Sequence, residues 1–179
     1  FLRVLRTHAQ KIGLNSKFSI YDSSDSRSLI KSIIKELALD EKTYPVKDIA
    51  NAISHAKNRL ITPEDYCYNT AVRNRDLNNG MPSIGTIYAK YQNRCRLSGA
   101  MDFDDILLYS NILFRDFPDV RDEYRKKFRY ILVDEYQDTI FAQHMIILQL
   151  TRQKGNLFVV GDDAQSIYSF RGAKIENIL

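Results

Sequence analysis

Apolar residues recur along most of the chain at the three- and four-residue spacing of amphipathic helices. One such stripe consists of Leu29, Ile30, Ile33, Ile34 and Leu37, with lysines on the opposite side. Alternating polar and apolar positions, typical of a short strand, occur at Phe18-Ser19-Ile20-Tyr21. We therefore expect residues 14–98 to be helical apart from this one extended segment.

Helix-start signals locate several of these helices. Thr62 is suited to cap a helix that has Pro63 in its first turn. Asp102 is predicted to cap a later helix, and the acids that follow it are expected to be favourable helix-dipole charges rather than catalytic groups. Lys57 lies near the end of the helix that Pro45 opens, and we place it, like the other basic residues of this region, on a solvated helical face.

A different pattern begins at residue 130. The run Tyr130-Ile131-Leu132-Val133 has no polar break, which predicts a strand buried on both faces with Asp134-Glu135 at its carboxyl end. A helical stripe follows, and a second apolar run, Leu157-Phe158-Val159-Val160, leads to Asp162-Asp163. Strand, helix and strand predict a right-handed βαβ unit, which brings both acidic pairs to one edge of a parallel sheet.

An apolar strand that ends in two acids suits the hydrolysis of a nucleoside triphosphate. Mg²⁺ binds proteins through one or two carboxylates together with substrate phosphates and water, so Asp134 can anchor the ion. Glu135, one residue further on, can orient and deprotonate the attacking water. The pattern alone also fits a solvated strand end with helix-capping acids, and both interpretations stay open at this point.

Two longer segments surround the acidic pairs. They read VDEYQDT at residues 133–139 and VVGDDAQSIYSFRGA at residues 159–173. In this order, separated by one helix, they resemble motifs II and III of the UvrD/Rep family of superfamily 1 DNA helicases. Shorter matches at residues 18–22, 56–60 and 101–105 extend the resemblance over nearly the whole chain.

This resemblance implies an α/β fold: a fragment of a RecA-like P-loop NTPase domain with a parallel sheet, plus an all-helical inserted subdomain. Residues 1–13 would be a helix of the RecA-like subdomain, 1A, that leads into the insertion. Residues 14–98 would form the helical subdomain 1B, and residues 99–179 would form a further part of 1A that carries motifs II and III. Gly99 is the expected return point between the two.

The resemblance also implies ATP and Mg²⁺ as cofactors. In the family pattern Asp134 would hold the metal, and Glu135 would be the catalytic residue that activates water. Gln137 would support the nucleotide site. Gln165 would be both catalytic and nucleotide-binding, because its amide can donate to or accept from the γ-phosphate and the attacking water.

DNA contacts are implied by the second half of motif III. Phe170 would stack on a base, and Tyr168 would line the neighbouring base pocket. Arg171 would meet a phosphate or the plane of a base. The partners expected on this basis are single-stranded DNA and junctions of single- and double-stranded DNA, with 3′-to-5′ translocation carried over from the family and a role in repair or replication.

Several features depart from the family pattern. Ala164 stands where an acid is common, and Ile140 stands where a polar residue is usual. The nearest match to a phosphate-binding loop runs from Gly80 to Gly85 but is followed by Thr86 instead of lysine, with no strand before it, so we reject it. We therefore expect this chain to be part of a longer helicase and to be inactive alone.

Composition adds few constraints. A formal charge of +4 and a sequence pI near 9.0 permit a polyanionic partner without requiring one. The two cysteines, Cys67 and Cys95, form no CxxC pair, so neither a disulfide framework nor a zinc site is indicated. Cysteine usage of this kind indicates a reducing, intracellular compartment, and no apolar run approaches membrane-spanning length. Together with the family resemblance, this implies a cytoplasmic, nucleoid-associated location.

Three other functions remain open. A metal-dependent nuclease or phosphohydrolase could use Asp134, Glu135, Asp162 and Asp163 as a two-metal site. A non-catalytic DNA-binding scaffold could keep a decayed ATPase fold. The chain could also belong to the helicase module of a larger helicase-nuclease.

Overall fold

A computed structural model describes residues 1–151 and 155–162 of the chain. Its helices are α1 (Leu2–His8), α2 (Ser23–Glu36), α3 (Val46–Asn58), α4 (Pro63–Tyr68), α5 (Thr70–Asn78), α6 (Ile84–Leu97), α7 (Phe103–Asp116), α8 (Pro118–Lys127) and α9 (Phe141–Leu150). Its strands are β1 (Ser19–Ile20), β2 (Ala100–Met101), β3 (Ile131–Val133) and β4 (Leu157–Val159), and 3-10 turns span Ala9–Ile12 and Tyr136–Asp138. The described part is a mostly helical α/β structure with two small parallel sheets, which agrees with the predicted class at that level.

Helices α2, α3, α4 and α6 share one apolar core. The stripe predicted for α2 supplies Ile30, Ile33 and Ile34, all of which are buried, so its amphipathic pattern is confirmed. Other buried members of this first core are Tyr44, Ile49, Ile53, Ala56, Tyr66, Ile84, Ile87, Tyr88, Tyr91 and Cys95. The helical region therefore buries its own apolar faces.

A second core lies between α1, α7, α8 and α9. Its buried members are Val4, Leu5, Phe18, Met101, Leu113, Phe114, Val120, Tyr124, Ile146 and Leu150. Leu14 and Ile20 pack against it from the segment that precedes α2. This second core carries the elements that lead to the acidic segments.

The first sheet brings the two ends of the helical region together. Strand β1, which the sequence predicted, pairs in parallel with β2, which it did not, with Ser19 opposite Ala100 and Ile20 opposite Met101. Gly99 enters β2 in the left-handed conformation, with φ of 58°, which glycine adopts at little cost. The segments that enter and leave the helical region therefore lie side by side in this sheet.

The predicted helix starts are confirmed where a side chain caps the helix. The Thr62 hydroxyl accepts from the backbone N–H of Asp65, with Pro63 in the first turn of α4. The Asp102 carboxylate likewise accepts from the backbone N–H of Asp105 at the start of α7. Ile140 cannot cap α9 in this way, and the Gln143 side chain instead accepts from the Ile140 N–H.

Lys57 is not on a solvated face, and our expectation for it was wrong. Its side chain is 0% exposed, and its Nζ lies 2.7 Å from both Asp102 Oδ2 and Asp105 Oδ1. The hydroxyl of Tyr91 donates to Asp102 at 2.8 Å, and its ring centroid lies 4.9 Å from the same Nζ. Lys57 is buried because α3 packs against α6 and α7, and these helices together enclose the end of the lysine side chain. We call Lys57, Tyr91, Asp102 and Asp105 the buried ionic cluster.

The second sheet consists of β3 and β4 among the described residues. They pair in parallel, Ile131 with Leu157 and Val133 with Val159, as the βαβ reading predicted. The prediction that β3 is buried on both faces is wrong, since Leu132 is 74% exposed. Phe158, the partner of Leu132 on β4, is also exposed, by 63%. Only α9 and its neighbours cover one side of this pair, and no described element covers the other.

Candidate nucleotide and metal site

The carboxyl ends of β3 and β4 are held side by side by backbone hydrogen bonds. The N–H of Val160 donates to the carbonyl of Val133 at 2.8 Å, and the N–H of Tyr136 donates to the carbonyl of Val160 at 3.0 Å. Asp134 and Glu135 follow β3 directly, and Asp162 follows β4. The prediction that these three acidic residues share one edge of the sheet is confirmed.

Asp134 is an exposed carboxylate with one oxygen engaged by the backbone. Its Oδ1 accepts from the Glu135 N–H at 2.8 Å, and the residue is exposed. Across residues 1–151 and 155–162 there is no group of three or more acidic, histidine or cysteine side chains that could hold a metal ion. This donor set fits Mg²⁺, which takes few protein ligands and completes its shell with water and phosphate oxygens.

Glu135 adopts a backbone conformation that is unusual for a side-chain-bearing residue. Its φ of 51° and ψ of 43° place it in the left-handed region, which costs a non-glycine residue about 1 kcal/mol or more. This turn ends the strand and starts the 3-10 turn at Tyr136. Such strained positions are concentrated at functional sites.

Gln137 is fully buried, and both ends of its amide are engaged. Its Nε2 donates to Glu135 Oε2 at 2.5 Å, while its Oε1 accepts from the backbone N–H of Asp162 at 3.0 Å. Its exposed fraction is 0%. The amide therefore connects the acid after β3 with the backbone after β4. Its role as a nucleotide ligand stays a prediction.

The 3-10 turn is fixed from beneath by an aromatic contact. The Tyr136 hydroxyl lies 2.7 Å from Nδ1 of His144, and the two rings meet edge to face. Burial raises the pKa of Tyr136 and lowers the pKa of His144, which favours a neutral imidazole. The tyrosine then donates to Nδ1, and the ring proton is on Nε2. This bond ties the turn to α9.

Helix α9 is in turn attached to α7 through Asn111. The buried Asn111 amide donates to the carbonyl of Ala142 at 2.8 Å, and its Oδ1 accepts from Gln149 at 2.8 Å. A chain of polar contacts thus runs from α7 through α9 to the 3-10 turn. The edge that carries Asp134 and Glu135 is supported by a packed core.

A cleft of about 630 Å³ opens beside the two acids. Its polar lining includes Asp134, Glu135, Asp138 and Thr139. Its apolar lining comes from β3 and α9, with Ile131, Val133, Ile146, Ile147 and Leu150 among the contributing residues. The Oδ1 of Asp138 is buried without a hydrogen-bond partner among the described residues. The site therefore has acidic groups at the mouth of an apolar cleft.

The remaining predicted site residues lie outside the described part of the chain. These are Gln165, Tyr168, Phe170 and Arg171, together with Asp163 of the second acidic pair. Their assignments stay predictions. Conversely, sequence reasoning missed the link from Gln137 to Asp162 and the contact of Tyr136 with His144. Hydrogen bonds between residues this far apart along the chain leave no periodic signal.

Comparisons with known proteins place this sequence in a family. The family model for the UvrD/REP helicase N-terminal domain matches residues 2–179. The chain is 43% identical over 185 residues to the ATP-dependent DNA helicase UvrD1 of Mycobacterium tuberculosis strain H37Rv, covering 99% of the chain and 24% of that relative. It is 42% identical over 178 residues to the ATP-dependent DNA helicase PcrA of Bacillus subtilis strain 168, covering 99% of the chain and 23% of that relative.

The chain thus spans about a quarter of the length of the curated relatives it matches. None of the helices in the described residues is long and apolar enough to cross a membrane.

Proposed function

The chain belongs to the UvrD/Rep helicase family, and we propose that it forms part of the motor of an ATP-dependent DNA helicase. The observation that carries this proposal is the pair Asp134 and Glu135 at the end of a parallel strand, with Glu135 held by the amide of Gln137. Family membership supplies the substrate class, and this pair supplies the chemistry.

In this proposal Asp134 holds Mg²⁺ through the carboxylate oxygen that the Glu135 N–H leaves free. When bound, the ion would neutralise charge on the β- and γ-phosphates of ATP. Glu135 accepts a proton from the attacking water, because its exposed carboxylate faces the same cleft.

We extend the proposal to the organisation of the parent protein. Residues 99–179 belong to a RecA-like subdomain 1A, residues 1–13 contribute a helix to it, and residues 14–98 form the inserted helical subdomain 1B. The two apolar cores and the pairing of β1 with β2 support a division near these boundaries, with Phe18 of the connecting segment packed in the second core. The chain by itself does not hydrolyse ATP, because its sequence has no phosphate-binding loop.

Coupling to DNA is assigned to motif III. Gln165 senses the γ-phosphate, while Phe170, Tyr168 and Arg171 hold single-stranded DNA at its junction with duplex. The parent then translocates in the 3′-to-5′ direction and serves repair or replication. Family resemblance is the support for these assignments.

The test is steady-state ATP hydrolysis by the full-length protein that contains this chain, with and without single-stranded DNA. Wild type should be stimulated by DNA, and Glu135→Gln should lose about 100-fold or more of the stimulated rate while still binding nucleotide. Glu41→Gln makes the same change at an exposed glutamate whose nearest cation, Lys31, is 4.0 Å away, and it should keep the wild-type rate.

Duplexes with either a 3′ or a 5′ single-stranded tail then test polarity, and only the 3′-tailed duplex should be unwound. DNA cleavage without ATP would favour the two-metal nuclease instead, whereas DNA binding without DNA-dependent turnover in the intact protein would favour the scaffold.

A further inference from the structure

The orientation of the Gln137 amide is fixed by chemistry. A backbone N–H can only donate a hydrogen bond, so the group that faces the Asp162 N–H at 3.0 Å must be the amide oxygen. The NH₂ group must then point the other way, where it meets Glu135 Oε2 at 2.5 Å. A carboxylate is an acceptor, which satisfies this second contact. Both bonds therefore support a single orientation of the amide.

The surroundings of Gln137 make this amide a firm support for Glu135. Gln137 is fully buried on the 3-10 turn, and burial of a polar group is favourable only when its hydrogen bonds are made. Glu135, in contrast, is exposed and has three side-chain torsions that are otherwise free. The buried amide restricts the exposed carboxylate.

The same amide is also attached to the second acidic segment. Asp162 follows β4 after Val160 and Gly161 and lies 25 residues from Gln137 along the chain. A change in the backbone at Asp162 would displace the amide oxygen and, through the planar amide, the NH₂ group that holds Glu135. The position of the water-activating carboxylate thus depends on the segment after β4.

We propose that Gln137 is a positioning residue: it sets the orientation of Glu135 and couples that orientation to the backbone at Asp162. This inference rests on the proposed function, in which Glu135 activates water. Gln137 then acts through Glu135 and does not touch the nucleotide.

The test uses Gln137→Met in the full-length protein, with ATP hydrolysis measured at saturating single-stranded DNA. Methionine has nearly the length of glutamine but makes neither hydrogen bond. We expect kcat to fall about 10- to 100-fold, the loss typical of a misplaced catalytic group, while KM for ATP stays within about threefold of wild type. Gln10→Met, at an exposed glutamine on the first 3-10 turn, is the matched control and should leave both constants unchanged.

A second variant, Gln137→Glu, gives a readout that a purely structural role would not change. In its protonated form the new side chain can still accept from the Asp162 N–H and donate to Glu135. Once ionised, it repels Glu135 instead. The ratio of the kcat of this variant to the wild-type kcat should be highest near pH 5 and fall as the pH rises towards about 8.

Three outcomes would overturn the inference. These are a wild-type kcat for Gln137→Met, a raised KM with unchanged kcat, which would make Gln137 a nucleotide ligand, and a pH-independent ratio for Gln137→Glu. Glu135→Gln separates this inference from the proposed function. If that variant still hydrolyses ATP, the proposed function fails; if it does not and both Gln137 variants behave like wild type, only the positioning role fails.

Discussion

The helical region and the β3–α9–β4 unit satisfy their apolar residues in different ways. In the helical region an apolar core is enclosed between helices, and Ile87 and Tyr88 in it are fully buried. In the second unit Leu132 and Phe158, on paired strands, are mostly exposed. The first region is closed by its own helices, whereas the second presents an apolar sheet face that no described residue covers.

The charged side chains of the two regions also differ in burial, but in the opposite direction. The buried ionic cluster joins Lys57, on α3 of the helical region, to Asp102 and Asp105 at the start of α7, where α3, α6 and α7 meet. The acids of the second unit, Asp134 and Glu135, stay at the surface. Charges enclosed by protein hold helices together, and charges left at a sheet edge remain available for a ligand. The contrast separates a part of the chain whose charged groups are enclosed from a part whose acids remain accessible.

The largest effect should come from breaking the buried ionic cluster. Lys57→Met leaves Asp102 and Asp105 buried without their cation, which typically costs about 3–5 kcal/mol. We expect urea unfolding of the 179-residue chain, followed by circular dichroism, to show a loss of this size. Lys31→Met, which removes an exposed lysine 4.0 Å from Glu41, should cost less than about 0.5 kcal/mol. Equal losses from the two changes would mean that the buried ionic cluster adds no more to the free energy of unfolding than an exposed ion pair does.

An equivalent truncation in each region tests the comparison directly. Ile87→Ala empties part of a closed core and should cost about 2–5 kcal/mol in the free energy of unfolding. Leu132→Ala removes a side chain that is already 74% exposed and should cost less than about 1 kcal/mol in the 179-residue chain.

Repeating this pair in the full-length protein sharpens the contrast. The faces of parallel sheets in α/β domains are normally covered, so Leu132→Ala should become about as costly there as Ile87→Ala. A cost that stays below about 1 kcal/mol would show that this face remains exposed in the whole protein.

The last prediction concerns a pH dependence of the buried ionic cluster. Burial raises the pKa of Asp105 to about 6, because Lys57 is shared with Asp102 and does not offset the loss of water. Between about pH 4 and 6 the folded chain therefore keeps a proton that the unfolded chain has lost. The free energy of unfolding should fall as the pH rises across this range, by at most about 3 kcal/mol, and then level off.

Asp105→Asn should flatten this slope, as followed by urea unfolding at a series of pH values. Burial also raises the pKa of Asp104, so Asp104 adds to the same slope. Any slope that remains in the Asp105→Asn variant would then come from Asp104. Lys57 holds the pKa of Asp102 below its usual range against the effect of burial, so the contribution of Asp102 is lost only at lower pH. An unchanged slope in Asp105→Asn would assign the titration to another group.

Local patterns in the sequence predicted local structure well. The spacing of Ile30, Ile33 and Ile34 predicted the buried face of α2, and the capping residues Thr62 and Asp102 predicted where α4 and α7 begin. The order of apolar run, acids, helix and apolar run predicted the parallel pairing of β3 with β4. These features depend on contacts within a few residues or on the covalent order of elements, both of which are written in the sequence.

Other features were decided only by the tertiary structure. Lys57 meets Asp102 across 45 residues, and Gln137 meets Asp162 across 25, so each contact depends on how separate elements pack. A lysine on a polar helix position and a glutamine in a loop have the same local appearance whether they are solvated or enclosed. The exposure of Leu132 is decided in the same way, because an apolar run predicts a strand but not which of its faces a neighbour covers. Burial is a property of the surroundings of a residue, and those surroundings come from distant parts of the chain.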